Sequence, residues 1–525
     1  MVGGVGAQVR LAEVVGSLSL VTDLATGQPL EHGLRRSLLA VWLGENLGLE
    51  PADLSDAYYV ALLGSVGCTI EGTELARLAE DDIALSERAA TVDVTNPVEM
   101  AAFGLRNFGA GEPPLRRIGK VVTGAVSGRS GFMAVCRDVA LRVGDMLGLG
   151  EKIRQALAQC HERWNGRGGP KRLKAEGIEL AARIFHVVHD AEVFNRIGGV
   201  DGAISIVRRR AGKQYDPHVA ERFTAIAKPL FRKLESEPTW DAAMGAEPVP
   251  VRWLLQEEVD AVVEAIATFV DLRSPFTLGH SAGVARLAEE TARGIGLPNG
   301  EAVTVRRAGF LHDLGRSGVP IAVWNKPSPW TAEDWERAKR HPSLTELVLA
   351  RSSGLGHLGT LAGLHHERMD GSGYRGVPAS SLPTAARILI AADAYQTKAA
   401  DAYQTKVESR PHRSALVPEQ AAEVLRRRVR DGLLDDEVTT ALLLAAGHSP
   451  PRTSPEVPAG LSEREVEVLG LIVRGLSNRQ MAELLFISPK TVGHHVQHIY
   501  DKLDVSTRVG ATLYALQHGL MRESP

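Results

Sequence analysis

The chain has 525 residues, too many for a single hydrophobic core, so two to four domains are expected. With 44% apolar and 23% charged residues it has the composition of an ordinary soluble protein, and its formal charge of -3 excludes a globally basic nucleic-acid binder. Three cysteines make no disulfide framework, no stretch approaches the roughly 18 apolar residues of a membrane span, and the first residues are a poor signal peptide; the expectation is a cytoplasmic protein with no membrane partner.

The first expected domain, residues 1–235, reads as a worn copy of a later one. From Asp23 to Gly67 it aligns without a gap to Asp271–Gly315 at a constant offset of 248, His32 matching His280. The pair His312-Asp313 has become Gly64-Ser65. Cys160-His161-Glu162 corresponds to His365-His366-Glu367, Cys136 to His341, and His189 falls where Asp393 stands. A neutral serine cannot hold two cations together, so this copy should not be a dinuclear hydrolase. Cys136, Cys160, His161, His32 and His189 either form a single zinc site or are residues filling a vacated pocket. The extra segment 81–124 is expected to be an inserted lid or partner-binding loop, and residues 236–255, rich in proline and alanine, a linker.

The second domain, 256–449, carries most of the chemistry. His280, His312 and His365 each continue an apolar stripe of helical spacing, so three helices are expected to point a histidine toward one interior. His341, His366 and the carboxylates Asp313 and Asp393 join them; imidazoles and carboxylates are ligands of divalent iron, manganese or similar ions.

Residues 259–446, through Leu311-His312-Asp313-Leu314-Gly315, His341-Pro342, the block His365 to Tyr374, Ala386-Arg387-Ile388-Leu389 and Arg410-Pro411-His412-Arg413, resemble the HD-GYP family of phosphohydrolases. The resemblance implies an all-α fold, two divalent metal ions and hydrolysis of a cyclic dinucleotide such as cyclic di-GMP. It implies that His280, His312, Asp313 and Asp393 hold one metal and that Asp313 bridges to a second held by His341 and His365, with His366 in the shell. His312, Asp313 and Arg316 are the expected catalytic residues, a metal-activated water attacking phosphorus. Glu367 is expected to orient a ligand histidine, and Asp370 to cap or brace the loop.

Three departures from the family qualify this. Arg316 replaces a lysine; it can clamp phosphate but is a poor proton donor. Arg375 replaces the signature proline and adds charge near the phosphate path. Phe276 stands where members with a third metal carry glutamate. The octapeptide 391–398 is also repeated at 399–406; eight helical residues add about 12 Å and roughly 80° beyond two turns, so Asp393 and Asp401 cannot serve one metal. Asp393 is favoured because its helix is anchored upstream; a register selecting Asp401, or a damaged site, are the alternatives.

After a linker at 450–459, residues 460–525 contain three helix starts: Ser462 with Glu465, Ser477 with Gln480, and Ser488 with Pro489. The short turn between the second and third is that of a helix-turn-helix, and the ordered motifs resemble the LuxR-type DNA-binding domain. Lys490, Thr491, His494, Gln497 and Lys502 are expected to face DNA, with a two-fold operator and a homodimer implied by the resemblance. The expected architecture is thus two tandem HD-type helical domains and a small LuxR-type bundle. It predicts a transcription regulator fused to a metal-dependent phosphodiesterase or, alternatively, a regulator whose HD-GYP-like half senses a nucleotide without hydrolysing it.

Overall fold

The fold, given by a computed structural model, is described for all residues except 1–8, 70–80, 94–95, 110–116, 118–119, 121–128, 237, 275, 327, 405–417, 449–460, 474–475, 486, 504, 506, 509–510, 512–513 and 516–525. It is all-α apart from two-residue strands Val9–Arg10 and Trp253–Leu254, which pair antiparallel. The chain divides into Met1–His448 and Ser449–Pro525. Among the described residues no helix is long and apolar enough to cross a membrane.

Within the first unit the internal repeat is visible element by element. Helices His32–Asn46 and Pro51–Leu63 recur as His280–Gly294 and Asn299–Leu311, each starting at the offset read from the sequence. The short turns Val66–Thr69 and Leu314–Gly318 follow them. Within these turns a Cβ on Gly67 would run into the Cys136 carbonyl, and one on Gly315 into the His341 carbonyl. The same close crossing therefore occurs in both copies, and Cys136 occupies the place of His341.

The two copies share one core. Helix Leu11–Ala25 is buried at every position but Leu24, its polar Glu13, Ser17, Ser19, Thr22 and Asp23 included. Its cluster includes Phe269, Phe310, Val348, Leu349 and Leu358 of the second copy. Glu13 anchors it there, accepting from Ser352 Oγ (2.6 Å), Ser353 Oγ (3.0 Å) and Gly354 N (3.2 Å). A second core, around Leu287, Val305, Ile388, Leu389 and Leu442, belongs to the second copy alone.

Two expectations about connecting segments need correction. Residues 236–255 are not a free linker: they form helix Thr239–Gly245, whose Trp240 and Met244 pack on Gly16, and Glu247 accepts from Tyr59 Oη (2.7 Å). Proline-rich composition concealed two large apolar anchors. The described part of 81–124 is largely helical, as Asp82–Ala89 and Pro97–Asn107, rather than a loop. Buried Asp82 accepts from Ile321 N (2.8 Å) and faces Arg273 (3.4 Å), docking this insertion on the second copy.

Candidate functional site

The second copy gathers its histidines at helix ends. His280 and His341 open helices His280–Gly294 and His341–Leu349. His312 and His365 stand just beyond Asn299–Leu311 and Gly356–Ala362, not within them as the periodicity suggested. This placement has a chemical use. The final carbonyls of a helix lack intrahelical donors, and His312 and His365 direct Nδ1 at the carbonyls of Gly309 and Ala362, both at 2.7 Å. His341 does the same to Ala338 O at 2.6 Å. A carbonyl only accepts, so Nδ1 carries the proton in all three rings and Nε2 presents a lone pair.

Two of those lone pairs face each other, Nε2 of His341 lying 2.9 Å from Nε2 of His365, and the third, on His312, lies 3.3 Å from Nε2 of His280. Two acceptors facing each other across 2.9 Å repel unless a cation lies between them, so the donor set fits metal binding. Asp313 joins the two groups: Oδ1 is 3.3 Å from His341 and 3.6 Å from His365, while Oδ2 is 3.5 Å from His312 and 3.7 Å from His280. The ligand atoms of His280, His312 and Asp313, and separately those of His341, His365 and His366, lie within 4.8 Å of one another.

Asp393 completes the cluster. Its Oδ1 is 3.3 Å from His280 and 3.8 Å from His312, and its Oδ2 is 3.7 Å from His366 Nδ1. Thr397 Oγ1 donates to it at 3.1 Å. Helix Thr384–Gln404 runs through most of both octapeptides, with Asp393 in the register that reaches the histidines; the side chain of Asp401 and the Arg410 to Arg413 motif lie outside the described residues.

Charge states follow from burial and neighbours. Burial would push the Asp313 carboxyl up, but His312, Arg316, His341 and His365 hold it well below the usual carboxylate range. Asp393 is likewise held down against burial by His280, His366 and His312. Burial lowers His312 to about 4 and depresses His341 and His366. His280 moves the other way: burial opposes its charge, yet Asp393, Asp313 and Asp271 raise it. Ionised carboxylates and mostly neutral imidazoles are the forms a cation binds.

Several supporting residues escaped the sequence reading. Asp271 accepts from Ser281 N (3.0 Å) and Oγ (2.8 Å), fixing the turn that presents His280; burial pushes its carboxyl up to about 6. Its repetition as Asp23 was the available signal. Thr345 Oγ1 donates to His312 O and accepts from Gly315 N, both at 2.9 Å. Arg316, expected from the sequence, sits 3.0 Å from Asp313 Oδ2, with its guanidinium 4.1 Å from the centre of the ring of Trp324, which was not expected there. The Tyr374 ring lies 4.5 Å from that of His366, whose side chain is 30% exposed.

Two expectations change. Glu367 orients no histidine: its oxygens accept from Arg375 N and Val377 N, both at 2.8 Å, bracing the glycine-rich loop. Arg375 does not leave a loose charge near the phosphate path, since its guanidinium pairs with Glu346 at 2.7 Å. Asp370 accepts from Ser372 N at 2.9 Å within the same loop.

The first copy has filled this space. A Cβ on Gly64 would collide with the Phe185 ring, which takes the room of the His312 imidazole. Buried Arg36 donates to Ser65 Oγ (2.6 Å), lies 3.0 Å from His189 Nδ1 and rests over Phe185 at 5.2 Å. His32 pairs with Glu192, and Cys160 turns its Sγ to Ala156 O at 3.6 Å, burial pushing that thiol up. The five residues considered for zinc are therefore not gathered. Cys136 and His161 instead cluster with Cys68, which the sequence reading had left out.

The second unit, taken by itself, contains among its described residues the helices Glu463–Val473, Asn478–Leu485 and Pro489–Leu503, with Ala511 and Ala515 joining their core. The hydroxyls of Ser462, Ser477 and Ser488 accept from the amides of Glu465, Gln480 and Thr491, as the helix starts predicted. Val492, Ile499 and Leu503 face the core; Lys490, Thr491, His494 and Gln497 are exposed along the last helix. Gln497 donates to Asp501 at 2.9 Å, and the Thr491 and Ser488 hydroxyls are 2.8 Å apart. Lys502 is a correction: its Nζ donates to buried Glu465 at 2.7 Å, bracing the bundle rather than standing ready for phosphate.

Residues 141–219 and 264–438 match the HD domain family, and 459–515 match the luxR family of bacterial regulatory proteins. The first match falls in two segments, one in each copy. The chain is 28% identical over 440 residues to the 3'3'-cGAMP-specific phosphodiesterase 3 of Vibrio cholerae serotype O1, covering 82% of this chain and 94% of that one. It is 30% identical over 192 residues to the cyclic di-GMP phosphodiesterase response regulator RpfG of Xanthomonas campestris pv. campestris, covering 36% of this chain and 48% of the relative. A crystal structure of a cyclic GMP-AMP specific phosphodiesterase of V. cholerae (V-cGAP3) superposes with a TM-score of 0.57 at 24% identity, covering 85% of this chain and 99% of that one, a likeness of fold.

Proposed function

Because this chain belongs to the HD domain family and ends in a domain of the luxR family, we propose that it is a cyclic dinucleotide phosphodiesterase whose activity is coupled to DNA occupancy. The observation that carries this is Asp313, one oxygen toward each of two groups of imidazoles. We assign His280, His312, Asp313 and Asp393 to one divalent ion and His341, His365 and His366 to a second, iron and manganese suiting the donors. When bound, such a pair would polarise a phosphate ester and lower the pKa of a bound water.

The remaining work falls to the protein. The backbone carbonyls of Gly309, Ala338 and Ala362 hold three imidazoles in one tautomer and orientation. Trp324 holds the Arg316 guanidinium beside Asp313, where it can pair with a phosphoryl oxygen but not supply a proton near neutral pH. His366 and Tyr374 form the open rim through which a phosphodiester enters. In the DNA reader, Lys490 is assigned to phosphate and Thr491, His494 and Gln497 to base edges, with two chains on a two-fold site.

The test is metal analysis of anaerobically purified protein together with turnover of 3'3'-cGAMP and cyclic di-GMP by wild type and Asp313→Asn. Two ions and linear product from wild type alone support the enzyme. Tight nucleotide binding without product overturns it in favour of a sensor.

A further inference from the structure

The first copy, although it has lost His312 and Asp313, keeps a group of ligand-type side chains in another place. Cys68 Sγ lies 4.0 Å from Cys136 Sγ and 3.5 Å from His161 Nε2, and the ligand atoms of all three lie within 4.8 Å of one another. A tetrahedral zinc ion, with Zn–S of about 2.3 Å and Zn–N of about 2.0–2.1 Å, sets two sulfurs about 3.8 Å apart and a sulfur and nitrogen about 3.6 Å apart. The Cys68–Cys136 and Cys68–His161 spacings fit that geometry within a few tenths of an ångström, and the third pair lies within 4.8 Å. They do not fit a disulfide, whose sulfurs are about 2 Å apart.

The location is also coherent. Cys136 stands in the place of His341, as the shared crossing at Gly67 and Gly315 shows. His161 stands in the place of His366, because Glu162 beside it accepts from Lys171 N (2.7 Å) and Leu173 N (2.9 Å) as Glu367 does from Arg375 and Val377. Cys68 occupies the position of Arg316 at the constant offset. The three residues therefore rebuild one half of a two-metal centre with softer donors, while Arg36 and Phe185 fill the other half.

We propose that the first copy holds one zinc ion on Cys68 Sγ, Cys136 Sγ and His161 Nε2, with its fourth coordination position left to solvent or to a small ligand. Both thiols release their protons to solvent on binding. Two thiolates and one divalent ion sum to zero charge, so the buried Arg36 cation does not oppose the site. Thiolates select zinc over the harder ions suited to the second copy, so one chain would hold two kinds of metal.

All three cysteines lie in the first copy, so thiolate-to-cobalt charge-transfer absorption reports on this site alone. Reduced, metal-stripped full-length protein titrated with cobalt should show the band saturating at one equivalent, bleached by zinc. It should vanish in Cys68→Ser and Cys136→Ser, weaken at least tenfold in affinity in His161→Ala (loss of a residue that merely orients a ligand already costs about 10–100-fold), and persist in Cys160→Ser and Asp313→Asn. If the serine variants fail to fold, alkylation mapped by mass spectrometry replaces them: Cys68 of the wild type should be protected by zinc and become reactive on chelation. No thiolate band in reduced wild type, a band surviving Cys68→Ser, equal Cys68 alkylation with and without zinc, or a Cys68–Cys136 disulfide in place of the metal would each overturn the proposal.

Discussion

Arg36 donates from Nη1 to Ser65 Oγ at 2.6 Å, across the space in which the second copy gathers imidazoles around Asp313. An internal cation thus stands where an external one is expected in the other copy, and Phe185 fills the volume left beside it.

Restoring the lost ligands alone should therefore fail. Gly64→His forces a side chain into the Phe185 ring and is expected to cost about 1–3 kcal/mol by overpacking. Phe185→Leu in the same chain should recover most of that loss. Urea unfolding of both single variants and the double variant gives the coupling energy, and additive effects would mean that Phe185 is not what excludes the histidine.

The braces Glu162 and Glu367 separate structure from chemistry. Each carboxylate accepts two backbone amides, and glutamine retains one accepting oxygen, so Glu162→Gln and Glu367→Gln should each lose about 1.5–3 kcal/mol. Only Glu367→Gln should also lower phosphodiesterase turnover, with metal content retained. Loss of metal from Glu367→Gln would return it to the role of orienting a ligand.

Arg316 should affect substrate more than metal. Arg316→Ala is expected to weaken cyclic dinucleotide binding at least about tenfold, the scale of one charge-assisted contact, while leaving ion content unchanged. Trp324→Ala, which removes only the stacking, should cost about 2- to 5-fold. Equilibrium dialysis with the metal-loaded protein checks both, and an unchanged affinity in Arg316→Ala would remove the phosphate assignment.

In the DNA reader the two lysines should behave differently. Lys490→Ala should weaken binding across sequences and reduce the salt slope by about 1. His494→Ala should relax base preference. Lys502→Ala should instead destabilise the bundle through loss of its contact with Glu465. Salt-dependent binding isotherms, read beside amide exchange, separate a lost phosphate contact from a loosened fold.

Glu465 also sets an acid limit. Burial would raise its carboxyl, but Lys502 and Ser462 hold it down to about 2. A carboxylate depressed on folding contributes stability that is complete above its unfolded value, about 4.3, and is lost as pH falls toward 2. Amide exchange in helix Glu463–Val473, corrected for intrinsic rates, should show protection declining from pH 5 to 3 in wild type. Glu465→Gln should be less protected at pH 5 and nearly flat over that range.

The clustering of the histidines was legible from residue type and order, though helical spacing put His312 and His365 inside helices that end before them, and that of Asp393 because its helix is fixed from the upstream side. Other features depended on information the local sequence does not carry. Backbone carbonyls that orient His312, His341 and His365 have no side-chain signature. Lys502 looked like part of an exposed basic face because its partner Glu465 lies 37 residues away. Cys68 sits at a position aligned with Arg316, so comparison of the copies by ligand position passed over it. Trp240 and Met244 were hidden by the prolines around them.

The helix Leu11–Ala25 and the short ladder Val9–Arg10 with Trp253–Leu254 decide what can be cut from this protein. A fragment beginning at residue 256 would keep every expected catalytic side chain, yet uncover Phe269, Phe310, Val348, Leu349 and Leu358 where that helix had lain. An apolar surface of that kind is an aggregation liability. The copy that lost His312 and Asp313 thus forms one wall of the copy that keeps them, and the chain divides after His448 rather than between the copies.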